Sequence, residues 1–452
     1  METFLAKVKQ VLPQRVFLLL QRPYHFLLAC AAAALFRFPS RRLIVIGVTG
    51  TKGKTTVVRL LHEVLSASGA SVASCSSLEF RRGNTAAPNT LKMTMPGRFF
   101  VQRFLRSAVR AGCRYAVIEV TSQGIAQFRH RGIRFSGAVE THVAPEHLEA
   151  HGGFEPYLRT KLDLFWRLPR DGVAVINRDD AQWRRFAAAT AARTAFYGKD
   201  AITLGAKQWK ISDVVIGQDG ITFSVAGRVV RSPLLGIFNF YNILAAVAVG
   251  LAHGIALERI AEAVGRVSGV PGRMEFVARA PFAVVVDYAH TPDSLKAVYA
   301  FLKQNQKPKT KNKKLICVLG AAGGGRDKWK RPEFGKIAAE YCDQMILTNE
   351  DPYDENPQVI LEDIESGFSQ IPNSNPRLNR GQILNNIRKI LDRREAIREA
   401  LRLASSGDTV VITGKGAEPW MMLARGEKMP WDDRAVVREA LREAPPAGVG
   451  EK

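Results

Sequence analysis

Cysteine is scarce and scattered. Five cysteines occur in 452 residues, Cys30, Cys75, Cys113, Cys317 and Cys342, with no CxxC pair. That excludes a disulfide scaffold and a cysteine-ligated zinc site, and it fits a reducing compartment. Apolar runs near the N-terminus are short: Val16–Leu20 and Phe26–Phe36 are separated by Gln21-Arg22-Pro23. Neither approaches the ~20 residues that span a bilayer. No small-residue cleavage site follows them, because Phe36-Arg37-Phe38-Pro39 stands where a signal peptide needs one. Nucleic-acid signatures are missing too. The formal charge of +23, from 65 Lys and Arg against 42 Asp and Glu, therefore implies affinity for polyanions in general, with no nucleic-acid partner expected. Apolar residues at 46% and charged residues at 24% exclude a disordered chain. At about 150 residues per domain, the length suggests two to four domains.

Residues 1–42 read as one or two short helices, packed on the body or lying at a membrane surface. From Leu43 onward, apolar runs alternate with helical patterns, the signature of parallel α/β architecture. Strands are expected at Leu43–Val48, Tyr115–Val120 and Val173–Ile176, and helices at Thr55–Ala67 and Asn242–His253. A boundary falls near Pro271-Gly272, separating a central domain, 43–270, from a second α/β series, 271–444. Its strands are expected at Phe282–Asp287, Leu315–Leu319, Gln344–Thr348 and Thr409–Thr413. Lys303–Lys314 reads as a polar surface loop and residues 445–452 as a flexible tail.

Gly50-Thr51-Lys52-Gly53-Lys54-Thr55-Thr56 directly follows the first strand and opens a helix. Glycines let backbone N–H groups close on phosphate oxygens, and the helix N-terminus favours the negative charge. Lys54 would reach the β- and γ-phosphates of ATP, and Thr55 or Thr56 would hold Mg²⁺. The upstream glycine, Gly47, lies one residue further back than GxxxxGK[ST] requires.

The form TGTKGKTT resembles the Mur ligase superfamily, which joins amino acids to carboxylates at the expense of ATP. Further segments resemble that family in order: Glu119-Val120-Thr121-Ser122-Gln123-Gly124, then His147-Leu148-Glu149-Ala150-His151-Gly152 with Tyr157 and Lys161. Leu235–Asn242 (LGIFNFYN), Gly272-Arg273-Met274-Glu275 and Asp287–Leu295 (DYAHTPDSL) follow. The resemblance is strongest to the branch that adds the third stem-peptide residue of peptidoglycan. It implies an α/β protein: a central P-loop-type parallel-sheet ATPase domain, then a smaller Rossmann-like C-terminal domain, preceded here by the short helical segment. The family usually begins with a separate domain that holds the uridine end of the substrate, and 42 residues are too few for it. A cytoplasmic monomer is expected, with residues 1–42 either packed on the body or touching the inner face of the membrane.

The resemblance also implies roles. Glu119 would bind Mg²⁺ with His147 as helper, beside Thr55. Lys161, which on spacing alone would be a surface lysine, would carry a CO₂-derived carbamate and serve a second Mg²⁺. Asn239, Asn242, Asp287 and His290 would face the nucleotide. Thr94, Thr121, Gln127 and Arg129 would hold the acceptor, UDP-N-acetylmuramoyl-L-alanyl-D-glutamate. Arg326, Gly414 and Glu418 would take the incoming amino acid. The family's diaminopimelate-selecting DNPR reads Glu350-Asp351-Pro352-Tyr353 here. Tyr353 cannot make the bidentate pair of an arginine with a distal carboxylate, and Glu350 and Asp351 add negative charge, so a side chain such as that of lysine is expected. Two alternatives stand beside this: a folylpolyglutamate- or cyanophycin-type ligase built on the same core, and a non-catalytic nucleotide-binding scaffold tethered by residues 1–42.

Overall fold

A computed structural model of the chain describes residues 14–91, 93–146, 148–305, 313–325, 327–370 and 385–443. Two sheets organise it. In the first, six parallel strands lie side by side in the order Val72–Cys75, Tyr115–Glu119, Ile44–Thr49, Gly137–Glu140, Val173–Asn177 and Arg193–Tyr197. Antiparallel strands extend both edges and bring the sheet to twelve. The central strands are buried throughout, which is why they read as unbroken apolar runs rather than alternating ones. The Lys54–Ser66 and Ile237–Ala252 helices pack together on one face, within a core of Leu60, Leu61, Ile243 and Val247.

The second sheet has six strands. From Ala283–Asp287 it runs parallel through Thr409–Thr413, Leu315–Leu319, Gln344–Leu347 and Ile387–Lys389, with Glu275–Ala278 antiparallel at one edge. Leu235, Ile216 and Phe238 of the first unit pack into the apolar core of the second.

One expectation is sharpened and one corrected. Among the described residues the N-terminal segment contains one helix, Gln14–Leu35, which runs through Pro23. Proline removes one helical N–H bond but does not end this helix, which is anchored further along by buried Ala29, Ala32 and Ala33. The cysteines also hold a surprise: Cys317 and Cys342 form a disulfide, their Cα atoms 6.1 Å apart. Cys317 lies on one strand and Cys342 just before the next, so parallel pairing brings together two residues whose sequence spacing carries no signal. Parts of the Lys303–Lys314 segment, and the whole 445–452 tail, lie outside the described residues.

Candidate active site

The phosphate loop joins the Ile44–Thr49 strand to the Lys54–Ser66 helix. Its two glycines are dictated by space and backbone. Gly50 has φ +147°, and a Cβ there would sit 2.0 Å from Thr141 Oγ1. Gly53 has φ +83°, and a Cβ there would meet Asn242 Oδ1 at 2.3 Å. Asn242 in turn donates to Asn239 Oδ1 at 2.9 Å, and Asn239 to the Leu235 carbonyl at 2.8 Å. The LGIFNFYN segment thus buttresses the loop from below.

Two lysines converge on the Gly50 carbonyl. Lys54 Nζ donates to it at 3.1 Å and to the Thr51 carbonyl at 2.9 Å. Lys161 Nζ, from the Phe154–Trp166 helix, donates to it at 2.8 Å and lies 4.5 Å from the centre of the Tyr157 ring. Lys161 is fully buried, contrary to what its helical spacing alone suggests. Burial and the neighbouring Lys54 cation hold its amine well below the usual lysine range, against the pull of Glu146 and Glu140. The Thr51 hydroxyl is fixed by Ala144 and Tyr157.

On the other side of the loop, hard oxygens gather. Thr55 Oγ1 lies 3.2 and 3.1 Å from the two carboxylate oxygens of buried Glu119, and 2.9 Å from Ser77 Oγ. The Ser77 N–H donates to Glu119 at 3.0 Å. A threonine hydroxyl, a carboxylate and a serine hydroxyl suit Mg²⁺. Ser77 escaped the sequence reading. It follows a four-residue strand, and its one signal is its place at a strand's carboxyl end beside Glu119. Of the other residues expected to serve metal, Lys161 sits against the Gly50 carbonyl, where a second ion was assigned to it, and His147 lies outside the described residues.

A bridge crosses from the second unit. His290 Nδ1 lies 2.7 Å from the Tyr288 carbonyl, and Nε2 lies 3.2 Å from Glu146 Oε1. Lys52 Nζ reaches the same Glu146 oxygen at 3.2 Å. Burial and the Lys52 cation hold His290 down to about 4, and burial holds Lys52 at about 8. The Asp327 N–H donates to Glu149 at 2.9 Å, and the Trp420 indole to the Thr90 carbonyl at 3.1 Å. The two oxygens of Asp287 accept from the Met274 and Ala289 N–H groups, each at 2.7 Å, so its carboxylate fixes the GRME turn. Thr56 is buried in the first turn of the helix.

The expected acceptor residues form a linked patch. Thr121 caps the Ser122–Ala126 helix by accepting from the Gly124 N–H at 3.0 Å. Arg129 holds Gln127 Oε1 at 3.0 and 2.6 Å, and its other arm reaches the Met95 carbonyl beside half-buried Thr94. Arg98 clasps the Gln127 carbonyl.

In the second unit, Lys415 is buried between two acids, 2.9 Å from Asp351 and 2.7 Å from Glu418. Asp351 also accepts from the Met422 N–H, and Glu418 accepts from the Tyr288 hydroxyl. Asp351 therefore faces a lysine of this chain, which the sequence reading overlooked although Lys415 stands inside Gly414–Glu418. Glu350 is different. It is buried, and its Oε2 finds no hydrogen-bond partner among the described residues. A Cβ on Gly414 would sit 2.5 Å from that oxygen. Burial and Asp351 push the Glu350 carboxyl up to about 7. Tyr353 takes φ +51° and lays its ring against Gly324. Arg326 lies outside the described residues.

One buried acid beneath the loop has no counterpart in the sequence reading. Glu140 ends the Gly137–Glu140 strand, opposite Thr49, and accepts from the Asn177 N–H at 2.8 Å. Its other oxygen has no partner among the described residues. Burial, then Asp180, raises its pKa well above the carboxylate range. The folded state keeps this proton where the unfolded chain has released it, so its contribution to stability fades as pH rises through and beyond the ordinary carboxylate value. Glu140→Gln should flatten that decline and stabilise the fold by about 1–2 kcal/mol at mildly alkaline pH. Thermal unfolding of both proteins across pH checks this, and parallel profiles would refute it.

Phosphate loop, oxygen cluster and an opposing α/β unit define an ATP-using synthetase fold, and the comparisons agree. The Mur ligase middle domain matches residues 48–250, and the Mur ligase, glutamate ligase domain matches 272–416. The chain belongs to the Mur ligase family. It is 40% identical over 416 residues to the UDP-N-acetylmuramoyl-L-alanyl-D-glutamate--2,6-diaminopimelate ligase of Gloeobacter violaceus, covering 91% of this chain and 79% of that one. It is 37% identical over 435 residues to the UDP-N-acetylmuramyl-tripeptide synthetase of a Roseiflexus species, covering 92% and 82%. A solved structure bearing the same name as the first relative superposes with a TM-score of 0.57 at 32% identity, over 89% of this chain and 78% of that one. Folylpolyglutamate synthase of Mycobacterium tuberculosis shares the fold, with a TM-score of 0.67 at 19% identity over 85% and 91%.

Proposed function

We propose that this chain is an ATP-dependent amide ligase that adds the third stem-peptide amino acid to UDP-N-acetylmuramoyl-L-alanyl-D-glutamate. The observation that carries this is the convergence of Lys54 and Lys161 on the Gly50 carbonyl, beside the Thr55–Glu119–Ser77 oxygens.

A carboxylate is a poor acyl donor. Its oxygen attacks the γ-phosphoryl group of ATP, ADP leaves, and an acyl phosphate forms. The amine of the incoming amino acid then attacks the acyl carbon, phosphate departs with the bonding pair, and a proton is lost. Such transfer depends on positioning and on neutralising charge around the phosphoryl oxygens. Lys54 supplies a cation from the loop. Thr55 and Glu119 hold Mg²⁺, which when bound neutralises charge on the phosphates. Thr94, Thr121, Gln127 and Arg129 hold the acceptor, the arginine pairing with an anionic group. Glu350 faces the amino acid beside Gly414 and Glu418.

Lys161 is the carbamate-bearing residue in this proposal. A neutral amine is required, and its buried, cation-flanked place provides one. Nζ attacks the carbon of CO₂, an N–C bond forms, a π pair moves to oxygen, and one proton is released. The neutral amine thereby becomes an anion that orients a metal or a lysine.

The test is ADP release together with product mass, using the nucleotide-sugar dipeptide and a panel of amino acids. ADP and a new peptide bond should appear only when both substrates are present. Because Tyr353 lacks a guanidinium, L-lysine should exceed meso-diaminopimelate by about tenfold or more in kcat/KM. A preference for meso-diaminopimelate would overturn the reading of Tyr353 and leave the ligase standing. No product under any pairing would overturn the ligase itself.

A further inference from the structure

The Gln14–Leu35 helix carries an exposed face that the ligase chemistry does not use. Phe26, Leu27, Cys30, Ala31, Ala34 and Leu35 are all exposed, and no charged residue falls among them. The opposite face, Ala29, Ala32 and Ala33, is buried. Four of the thirteen exposed large apolar side chains among the described residues fall within 26–38: Phe26 at 44%, Leu27 at 66%, Leu35 at 66% and Phe38 at 37%. The others are dispersed through the chain. A soluble surface helix normally shows the reverse, polar out and apolar in.

Charge selects the occupant. Exposed Arg37, Arg41 and Arg42 stand at the end of the apolar face, Arg41 against the Phe38 ring at 4.6 Å. From residue 3 to residue 62 the sequence contains no Asp or Glu. A second copy of this chain would bring a like-charged surface to the face. A surface of anionic lipid headgroups over an apolar interior complements both parts. No helix among the described residues is long and apolar enough to cross a membrane, so the helix would lie in the interface plane. We propose that this face docks the enzyme on an anionic lipid bilayer.

The placement gives this docking a consequence. The helix is seated on the 127–133 loop: a Cβ on Gly132 would meet the Ala33 Cβ at 2.6 Å, and the Phe26 ring meets the Phe128 ring edge-on at 6.3 Å. Gln127 and Arg129 stand on that same loop. Docking would therefore hold the proposed acceptor patch next to the lipid headgroups. That consequence rests on the acceptor reading, while the docking itself does not.

The test is co-sedimentation of the full chain with vesicles of phosphatidylcholine, with and without about 30% phosphatidylglycerol. Binding should be at least about tenfold stronger to the anionic vesicles and should weaken as NaCl rises from about 0.1 to about 0.5 M. Leu27→Asp with Leu35→Asp should cut partitioning about tenfold or more, and so should the triple change of Arg37, Arg41 and Arg42 to Ser. ADP release with soluble acceptor should be unchanged in both, which shows that the variants are folded and separates this test from that of the ligase. Equal partitioning of the wild type and the aspartate variant would overturn the proposal. So would a wild-type dimer in solution that the aspartate variant converts to monomer, because the face would then belong to a second copy.

Discussion

Lys161→Ala is expected to lower turnover by about 10²- to 10³-fold, the scale of losing one preorganised electrostatic group in a water-poor site. Short carboxylic acids such as acetate or formate, added to the variant, should restore part of that activity. The expectation follows from surroundings rather than from sequence position. Nζ is buried, sits on the Gly50 carbonyl and faces the Lys54 cation, so its neutral form is favoured. A neutral buried amine beside a phosphate loop contributes little charge by itself. Converted to a carbamate it becomes an anion, and a small carboxylate in the space left by alanine can stand in for it. Lys161→Arg separates this from a packing role, because arginine fills volume but cannot be carbamylated. It should remain inactive, and added acid should not help it. Unchanged activity in either variant would remove the carbamate from the mechanism.

Glu119→Gln is expected to cost about 10²-fold or more in kcat with a much smaller change in nucleotide affinity. The carboxylate is fixed by the Thr55 hydroxyl and the Ser77 N–H, and glutamine preserves the shape while removing the charge. The variant should require more Mg²⁺ for half-maximal rate. Ser77→Ala should show the same direction with a smaller effect, since Ser77 contributes one neutral hydroxyl. A Mg²⁺ titration of ADP release checks both. An unaltered titration in Glu119→Gln would reassign that residue to a purely structural role as the anchor of Ser77.

Much of the architecture was legible because buried parallel strands announce themselves. Leu315–Leu319 and Thr409–Thr413 were bounded correctly, and the first strand was displaced by one residue, to Ile44–Thr49. The phosphate loop was legible because only glycine satisfies the backbone at positions 50 and 53. What escaped was long-range. Nothing local tells that Lys415 would cross to Asp351, 64 residues away, and take up charge that had been assigned to a substrate. Nothing local tells that Lys52, a loop residue, would share Glu146 with His290. Glu140 ends a strand and reads as an ordinary polar boundary; its burial is a product of the sheet closing over it. Asp287 carried a motif's prestige, yet its oxygens went to two main-chain N–H groups.

The contacts between the two units are unlike on their two sides. At one side Leu235, Ile216 and Phe238 enter the neighbouring apolar core. At the other, Glu146 meets His290, Glu149 meets the Asp327 amide and Thr90 meets the Trp420 indole. Parting the greasy side exposes oil to water and is costly; parting the polar side exchanges hydrogen bonds for equivalent ones with solvent. The apolar contact at Leu235 therefore resists separation more than the polar ones, which are made beside the phosphate loop by groups that a bound polyanion would also attract.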